Sequence, residues 1–407
     1  MRLSLLTVAS SLALTNALPL NIWELFYKRD IVADPPALAW AGLDRFNGSN
    51  GTAQSNSTEA SGELPKIKIF GFSEEFTNLF GSENSTVNVS APFTVNVTID
   101  QLLTVLDLSG NSSSSSLIDS ALQQASLFSL LNASGISNVS TLEYEQLNSS
   151  FNETTLPQLY QALSDDEVDY DGFVIVLGPS YIEESAFFIE AVGDFGVPIV
   201  FTAVTTAKNL LHGGLRNLYD AIITAADDYN VFGTEIVSGK TVSSAFYSQR
   251  VGNLFTSSIG TLGRIYQGEP QWFFDFVDFP LFDGNFTITE NTELPNVLII
   301  QSIGSSTTGV LKAVQNSELK GVVIVSDPFD DYDQSLLDEV SKLVETIPVV
   351  FAANGGEFVN PDDVPVDGAI AAGFLAPAKA KVLLQAALAS DNSADQLSEL
   401  FSTVYGG

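Results

Sequence analysis

The chain has no cysteine. Disulfides, thiolate metal sites and cysteine nucleophiles are therefore excluded, and the fold must rest on burial and hydrogen bonding. It has a single histidine, His212, and one imidazole makes neither a hydrolytic triad nor a zinc site by itself. Basic residues are scarce: 16 Lys and Arg stand against 49 Asp and Glu, a formal net charge of −33. So acidic a surface repels phosphate backbones, which excludes nucleic acid as a partner and implies a well-solvated exterior. Neither a GxGxxG turn nor a Gly-Lys-Ser/Thr loop occurs, so a nucleotide site has no motif to rest on, and no cofactor is expected. The acidic run Asp327, Asp330, Asp331 and Asp333 lacks the glycine and closing glutamate of a calcium loop. It reads as a solvated loop, and no metal is expected. Beyond residue 30 no apolar run is long enough to cross a bilayer, and Ser402-Thr403-Val404-Tyr405-Gly406-Gly407 is no hydrophobic tail. Neither a membrane anchor nor a lipid-anchor signal is expected.

What is present begins with an address. Met1-Arg2 is a basic start, Leu3 to Leu14 is apolar, and Thr15-Asn16-Ala17 ends on a small residue. This predicts a signal peptide over 1–17, cleaved after Ala17. Lys28-Arg29 resembles a dibasic processing site, which makes 18–29 a propeptide ending at Arg29. Asn-X-Ser/Thr sequons stand at Asn47, Asn50, Asn56, Asn84, Asn88, Asn96, Asn111, Asn132, Asn138, Asn148, Asn152 and Asn285. All but the last lie before residue 153. Such a cluster behind a signal implies a secreted, extracellular glycoprotein, with residence in the cell wall one form of it.

Residues 30–62, with Pro35-Pro36 and many Gly and Ser, read as a flexible glycosylated leader. Order begins at the alternating run Leu64 to Phe70. Residues 84–160 are weakly patterned, with a short helix over Leu156 to Leu163. Gly172-Phe173-Val174-Ile175-Val176-Leu177-Gly178 is the mark of a buried parallel strand. A helix over Glu183 to Val192, a strand over Val197 to Phe201 and a helix over Asn217 to Asp227 follow. This rhythm predicts an α/β fold: a large N-terminal domain, 63–270, with a mostly parallel sheet. A connector over 271–293 leads to a smaller C-terminal α/β domain, 294–407. There strands are expected at Asn296 to Ile300, Gly321 to Val325 and Ile347 to Phe351. Helices are expected at Thr308 to Asn316, Gln334 to Thr346 (capped by Asp333), Ala378 to Ala389 and Ser393 to Thr403.

Several stretches in this order carry a resemblance. Gly368-Ala369-Ile370-Ala371-Ala372-Gly373-Phe374-Leu375-Ala376-Pro377-Ala378-Lys379-Ala380-Lys381 is similar to the G-F-I-A-A-G-x-L-N-P-Q-K-A-R of the type II L-asparaginase/glutaminase family. Leu397-Ser398-Glu399-Leu400-Phe401 resembles its closing I-Q-E-I-F. Asp171 to Ile175 with Glu183 to Phe188, Asn217 to Ala221, Thr224 to Asp227, Ser238 to Val242 and Gly260 to Gly263 resemble further family words. The resemblance covers residues 64–405, weakly between 77 and 160. It implies the asparaginase/glutaminase-like fold and a homo-oligomer, dimer or tetramer. It also implies an activity, hydrolysis of the side-chain amide of asparagine and often glutamine.

That activity needs a threonine nucleophile in a T-G-G-T-I-A loop, a loop tyrosine, the threonine and aspartate of H-G-T-D-T, and a lysine that the resemblance places after x-A-A-D. In this chain Glu75 stands at the nucleophile's position, with Thr77 two residues on, and no tyrosine occurs between Tyr27 and Tyr144. Pro179 and Ser180 replace the threonine and aspartate, and Asp228 the lysine. A substrate-binding serine survives as Ser149 or Ser150. A hydroxyl is a weak nucleophile without a basic partner. The expectation is therefore an asparaginase-fold protein without amidohydrolase activity, acting as a binding or extracellular protein. The alternative is an extracellular L-asparaginase with displaced catalytic residues. Glu74-Glu75 and Glu183-Glu184 are also paired carboxylates of the kind glycosidases use, though the latter match ordinary helix residues of the family.

Overall fold

Runs such as Gly-Phe-Val-Ile-Val-Leu and Gly-Val-Val-Ile-Val leave no polar face, and both become strands buried along their whole length. Only a sheet covered on both sides accepts such strands. The structure is a computed structural model. It describes residues 64–72, 85–88, 139, 141–147, 151–203, 215–230, 233–251, 254–256, 260–266, 268–274, 286–302, 304–315, 317–325, 332–354 and 357–405. The signal, propeptide and leader, His212, and Asp327, Asp330 and Asp331 lie outside them.

The strands in chain order are β1 (Lys66–Gly71), β2 (Ser85–Asn88), β3 (Thr141–Gln146), β4 (Gly172–Leu177), β5 (Ile199–Ala203), β6 (Thr234–Ser238), β7 (Thr241–Ser244), β8 (Gln249–Val251), β9 (Leu254–Thr256), β10 (Thr261–Tyr266), β11 (Glu269–Trp272), β12 (Val297–Gln301), β13 (Gly321–Val325), β14 (Val349–Ala352) and β15 (Ile370–Ala371). The α-helices are α1 (Leu156–Asp166), α2 (Ile182–Val192), α3 (Leu215–Ala225), α4 (Gly304–Val314), α5 (Gln334–Leu343), α6 (Pro377–Ala389) and α7 (Ala394–Tyr405). A nine-stranded sheet runs in the order β11-β10-β7-β6-β5-β4-β1-β3-β2. Its centre, β6-β5-β4-β1-β3, is parallel. Antiparallel strands finish both edges. The second sheet, β12-β13-β14-β15, is parallel throughout, and β8 and β9 form a separate ribbon.

The expected α/β elements are found, with ends moved by a few residues. One expectation changes: Glu269–Trp272, partly assigned to the connector, is the edge strand β11. Its Pro270 hid it, because proline suits a strand only at an edge where its missing N–H costs no ladder bond. Helix α5 starts at the expected cap, Asp333 Oδ1 accepting from the Ser335 N–H at 3.1 Å.

The core follows from helix faces. Helix α2 is buried on nearly all sides, and its Ala186, Phe187, Phe188 and Ile189 pack into one cluster with Phe173, Ile175 and Phe201 of the large sheet. The same cluster takes in Ala380, Leu383, Leu384 and Ala387 of α6, and Val323 and Val350 of the small sheet. Helix α6 is buried almost all round, as a helix wedged between two layers must be. Two of its buried residues are lysines. Lys379 Nζ donates to the carbonyls of Ala245 and Phe246 at 2.6 and 2.5 Å, and Lys381 pairs with Glu184 of α2 at 3.0 Å. Desolvation pulls the Lys379 ammonium down to about 7, against the opposite pull of Glu183 and Glu190. Charged or neutral, its nitrogen has the two N–H donors those carbonyls require.

Candidate active site

In open parallel sheets ligands bind outside the carboxyl ends of the strands. Here those ends belong to β1, β3 and β4. Strand β1 runs out at Gly71-Phe72, and the Leu147 N–H beyond β3 donates to the Gly71 carbonyl at 3.2 Å. Strand β4 ends in the turn Gly178-Pro179-Ser180-Tyr181. The turn is tied down by the Tyr181 N–H to the Gly178 carbonyl at 3.0 Å, and by Ser185 donating through Oγ to the Tyr181 carbonyl at 2.6 Å. Helix α2 starts immediately after it.

Three aromatic rings meet at this edge. Phe72 packs edge-on against Phe151, and Phe151 against Tyr181, both with centroids 5.1 Å apart. Phe72 is buried, while Tyr181 closes the row from outside, 45% exposed. Ser180 is exposed, and its Oγ accepts from Arg250 Nη1 at 3.3 Å. Arg250 is held in turn by its backbone N–H, which donates to Glu183 Oε2 at 2.8 Å. Desolvation raises the Glu183 carboxyl above its ordinary range, while Lys379 and Arg250 work the other way.

The expected site residues divide accordingly. Pro179 and Ser180 stand together at the carboxyl edge. Asp228 does not join them: the carbonyl of Ala225, the last residue of α3, lies against Gly172 at the start of β4, so the turn holding Asp228 is at the opposite edge. A six-residue strand separates the two ends by about 20 Å. The assignment of position 228 to the site's cation is therefore corrected. The cation found beside Ser180 is Arg250, which sequence reading missed because no family word surrounds it. Glu183 and Glu184, considered as an acid/base pair, are instead bonded to the Arg250 backbone and to Lys381. Glu74, Glu75, Thr77, Ser149 and Ser150 lie outside the described residues. Phe72 and Phe151 were the other unforeseen members of the site, and the only signal for them is that Phe151 directly follows Ser150 and Phe72 lies three residues before Glu75.

Of the sequon asparagines, Asn152 is described in full. It is exposed and sits next to Phe151. Its Oδ1 accepts from the Thr154 N–H at 2.9 Å and from Thr154 Oγ1 at 2.6 Å. Asn88 lies in β2, and Asn47, Asn50, Asn56, Asn84, Asn96, Asn111, Asn132, Asn138, Asn148 and Asn285 lie outside the described residues, as do Ala17 and Arg29. Among the described residues no cluster of His, Cys, Asp or Glu could hold a metal ion. No helix there is long and apolar enough to cross a membrane.

The two sheets, with helices packed between and around them, define a mixed α/β protein with a large, mostly parallel sheet. The family model for the asparaginase N-terminal domain matches residues 108–275. L-asparaginase 2-3 of Saccharomyces cerevisiae is 29% identical over 368 residues, 86% of this chain and 93% of the relative. L-asparaginase 2 of Escherichia coli is 27% identical over 249 residues, 57% of this chain and 70% of the relative. The glutaminase-asparaginase of Pseudomonas fluorescens biotype A is 27% identical over 287 residues, covering 66% and 78%. The chain is thus similar to the asparaginase family over most of its length.

Proposed function

We propose that this is an asparaginase-family protein that no longer hydrolyses asparagine or glutamine and works by binding, outside the cell. The observation that carries the reading is the edge of β4. Acyl transfer needs a nucleophile, a group to take its proton and donors for the oxyanion. At this edge Pro179 offers neither hydroxyl nor N–H, and Ser180 offers no charge for a substrate ammonium. Arg250 offers N–H donors but no acceptor and no nucleophile. The Phe72–Phe151–Tyr181 row occupies the rim. From the sequence, Glu75 adds a negative charge where the uncharged nucleophile belongs.

A second reading, an L-asparaginase with displaced groups, draws on the relatives' names, since that is what the yeast and bacterial proteins are called. Ligand binding separates the two. L-aspartate or L-asparagine at millimolar concentration stabilises a protein that keeps the amino-acid site, by mass action. The proposal expects no shift of melting temperature with either. A saturable rise with both would favour the second reading.

Secretion belongs to the same proposal. The signal, the Lys28-Arg29 pair and the sequons support a mature N-terminus at Asp30 and a location outside the cell. N-terminal sequencing of secreted material tests this, and a start at Leu18 would remove the propeptide.

A further inference from the structure

Strand β6 is central: Glu235 pairs with Val200 of β5 on one side and with Ser244 of β7 on the other. A carboxyl at such a position has no water, and Glu235 is 0% exposed. Its Oε2 accepts from Asn230 Nδ2 at 2.7 Å. Its Oε1 is buried with no hydrogen-bond partner. A buried carboxylate is normally matched by a cation or by several N–H donors, because an uncompensated one is far costlier than the neutral acid.

Among the described residues no salt bridge reaches Glu235. Strands β5, β7 and β9, packed against β6, carry no titratable side chain. Of the side chains described in helix α3, Tyr219 and the buried Asp220 are the titratable ones. The turn after it brings Asp227, whose Oδ1 is engaged by the Tyr229 N–H and Trp272 Nε1. Helix α2 brings Glu190, whose Oε2 accepts the Thr234 N–H at 2.8 Å. Lys379 of α6 acts on Glu190 rather than on Glu235.

We infer that Glu235 is carried in the core as a neutral carboxylic acid, and that its ionisation weakens the β6 region, so that the fold is firm in acid and loosens toward neutral pH. The inference does not depend on whether the site turns over a substrate. The protonated form turns an acceptor-only group into one with an O–H donor, which fits a carboxyl whose one fixed partner is an amide N–H. Desolvation, with Glu190 and Asp227 adding to it, raises Glu235 well above the ordinary carboxyl range. Desolvation also pushes Glu190 up to about 7. The sign follows from linkage. A folded-state value above the unfolded one means that the native protein binds more protons between the two. The stability this supplies is complete below the unfolded value near 4.5 and is lost as pH rises through the folded one. For a chain rich in acid, that describes a protein adapted to acidic surroundings.

The test compares the purified full chain with Glu235→Gln, which keeps the shape and the Asn230 bond but cannot ionise. Thermal unfolding is followed from about pH 4 to 8. The parent should lose about 5 °C or more over that span, and the glutamine variant should be flatter and more stable than the parent at pH 8. Self-repulsion of a −33 chain also weakens it at high pH, but acts on both proteins alike. Parallel profiles for the two would overturn the inference. If the variant fails to fold, the parent alone decides it: urea unfolding at pH 6 in a weakly buffered dye solution should release about one proton or more per chain. Absence of release, or net uptake, would overturn it equally.

Discussion

Gly172, the first residue of β4, offers a measurement that isolates one contact. A Cβ built there would lie 2.5 Å from the Ala225 carbonyl oxygen, 3.1 Å from Ile67 Cδ1 and 3.3 Å from the Ala225 carbonyl carbon. Two of these are backbone atoms at the end of α3, which cannot swing aside as a side-chain tip would. Gly172 is not in the left-handed region, so alanine adds no backbone strain and the steric clash stands alone. Restoring contact distance moves the end of α3 away from the sheet by the better part of an ångström. Overpacking of this kind costs about 1–3 kcal/mol, set against a few tenths gained from a stiffer unfolded chain. Gly172→Ala should therefore lower stability by about 2 kcal/mol and the melting temperature by roughly 2–4 °C, the shift per kcal/mol being small in a chain this long. Gly309 is the control. It lies in the middle of α4, exposed, and a Cβ there meets nothing within 4 Å. Gly309→Ala should raise stability by about 0.5–1 kcal/mol through helix propensity. Urea unfolding of both variants checks the pair. A Gly172→Ala protein as stable as its parent would refute the close approach of α3 to β4, and with it the placement of Asp228 far from Ser180.

Three further outcomes are expected. A double-mutant cycle on Glu184 and Lys381, whose side chains are 30% and 10% exposed at 3.0 Å, should give a coupling of about 1–2 kcal/mol, between surface and buried pairs; zero coupling would mean that the two helices are not tied by this bridge. Asn152→Gln, made in a secreting eukaryotic host, should lower the mass by one N-glycan and leave the fold intact, and an unchanged mass would remove that site from the glycosylated set. Light scattering at micromolar concentration should show a homo-oligomer, as expected from the family resemblance, and monomer alone would contradict it.

How much of this was legible in the sequence depends on burial. Strands buried on both faces announce themselves, so β4 and β13 were readable to within a residue. Antiparallel edge strands were not: β11 contains proline, and β2 and β3 sit among sequons and serines that favour loops. The site was half legible. Pro179 and Ser180 could be read by position because a strand and a helix bracket them tightly. The cation could not, because Arg250 reaches Ser180 from a ribbon 70 positions on, and nothing local in Ser-Gln-Arg-Val marks it. Glu235 was unreadable for a related reason. Within Thr-Glu-Ile-Val-Ser it looks like the polar residue of a half-exposed strand, and only the covering by α3 makes it an interior acid.

The central claim, loss of amide hydrolysis, is tested most directly by ammonia release. Purified protein is incubated with L-asparagine and with L-glutamine between about pH 4 and 8, where carboxyl groups and histidine titrate. The yeast relative serves as a positive control, and a Glu75→Ala variant prepared identically as a control for contaminating enzyme. The account predicts no release above the uncatalysed background, with parent and variant indistinguishable. Steady turnover by the parent that Glu75→Ala abolishes would contradict it, and would make Glu75 the catalytic group of an active member of the family.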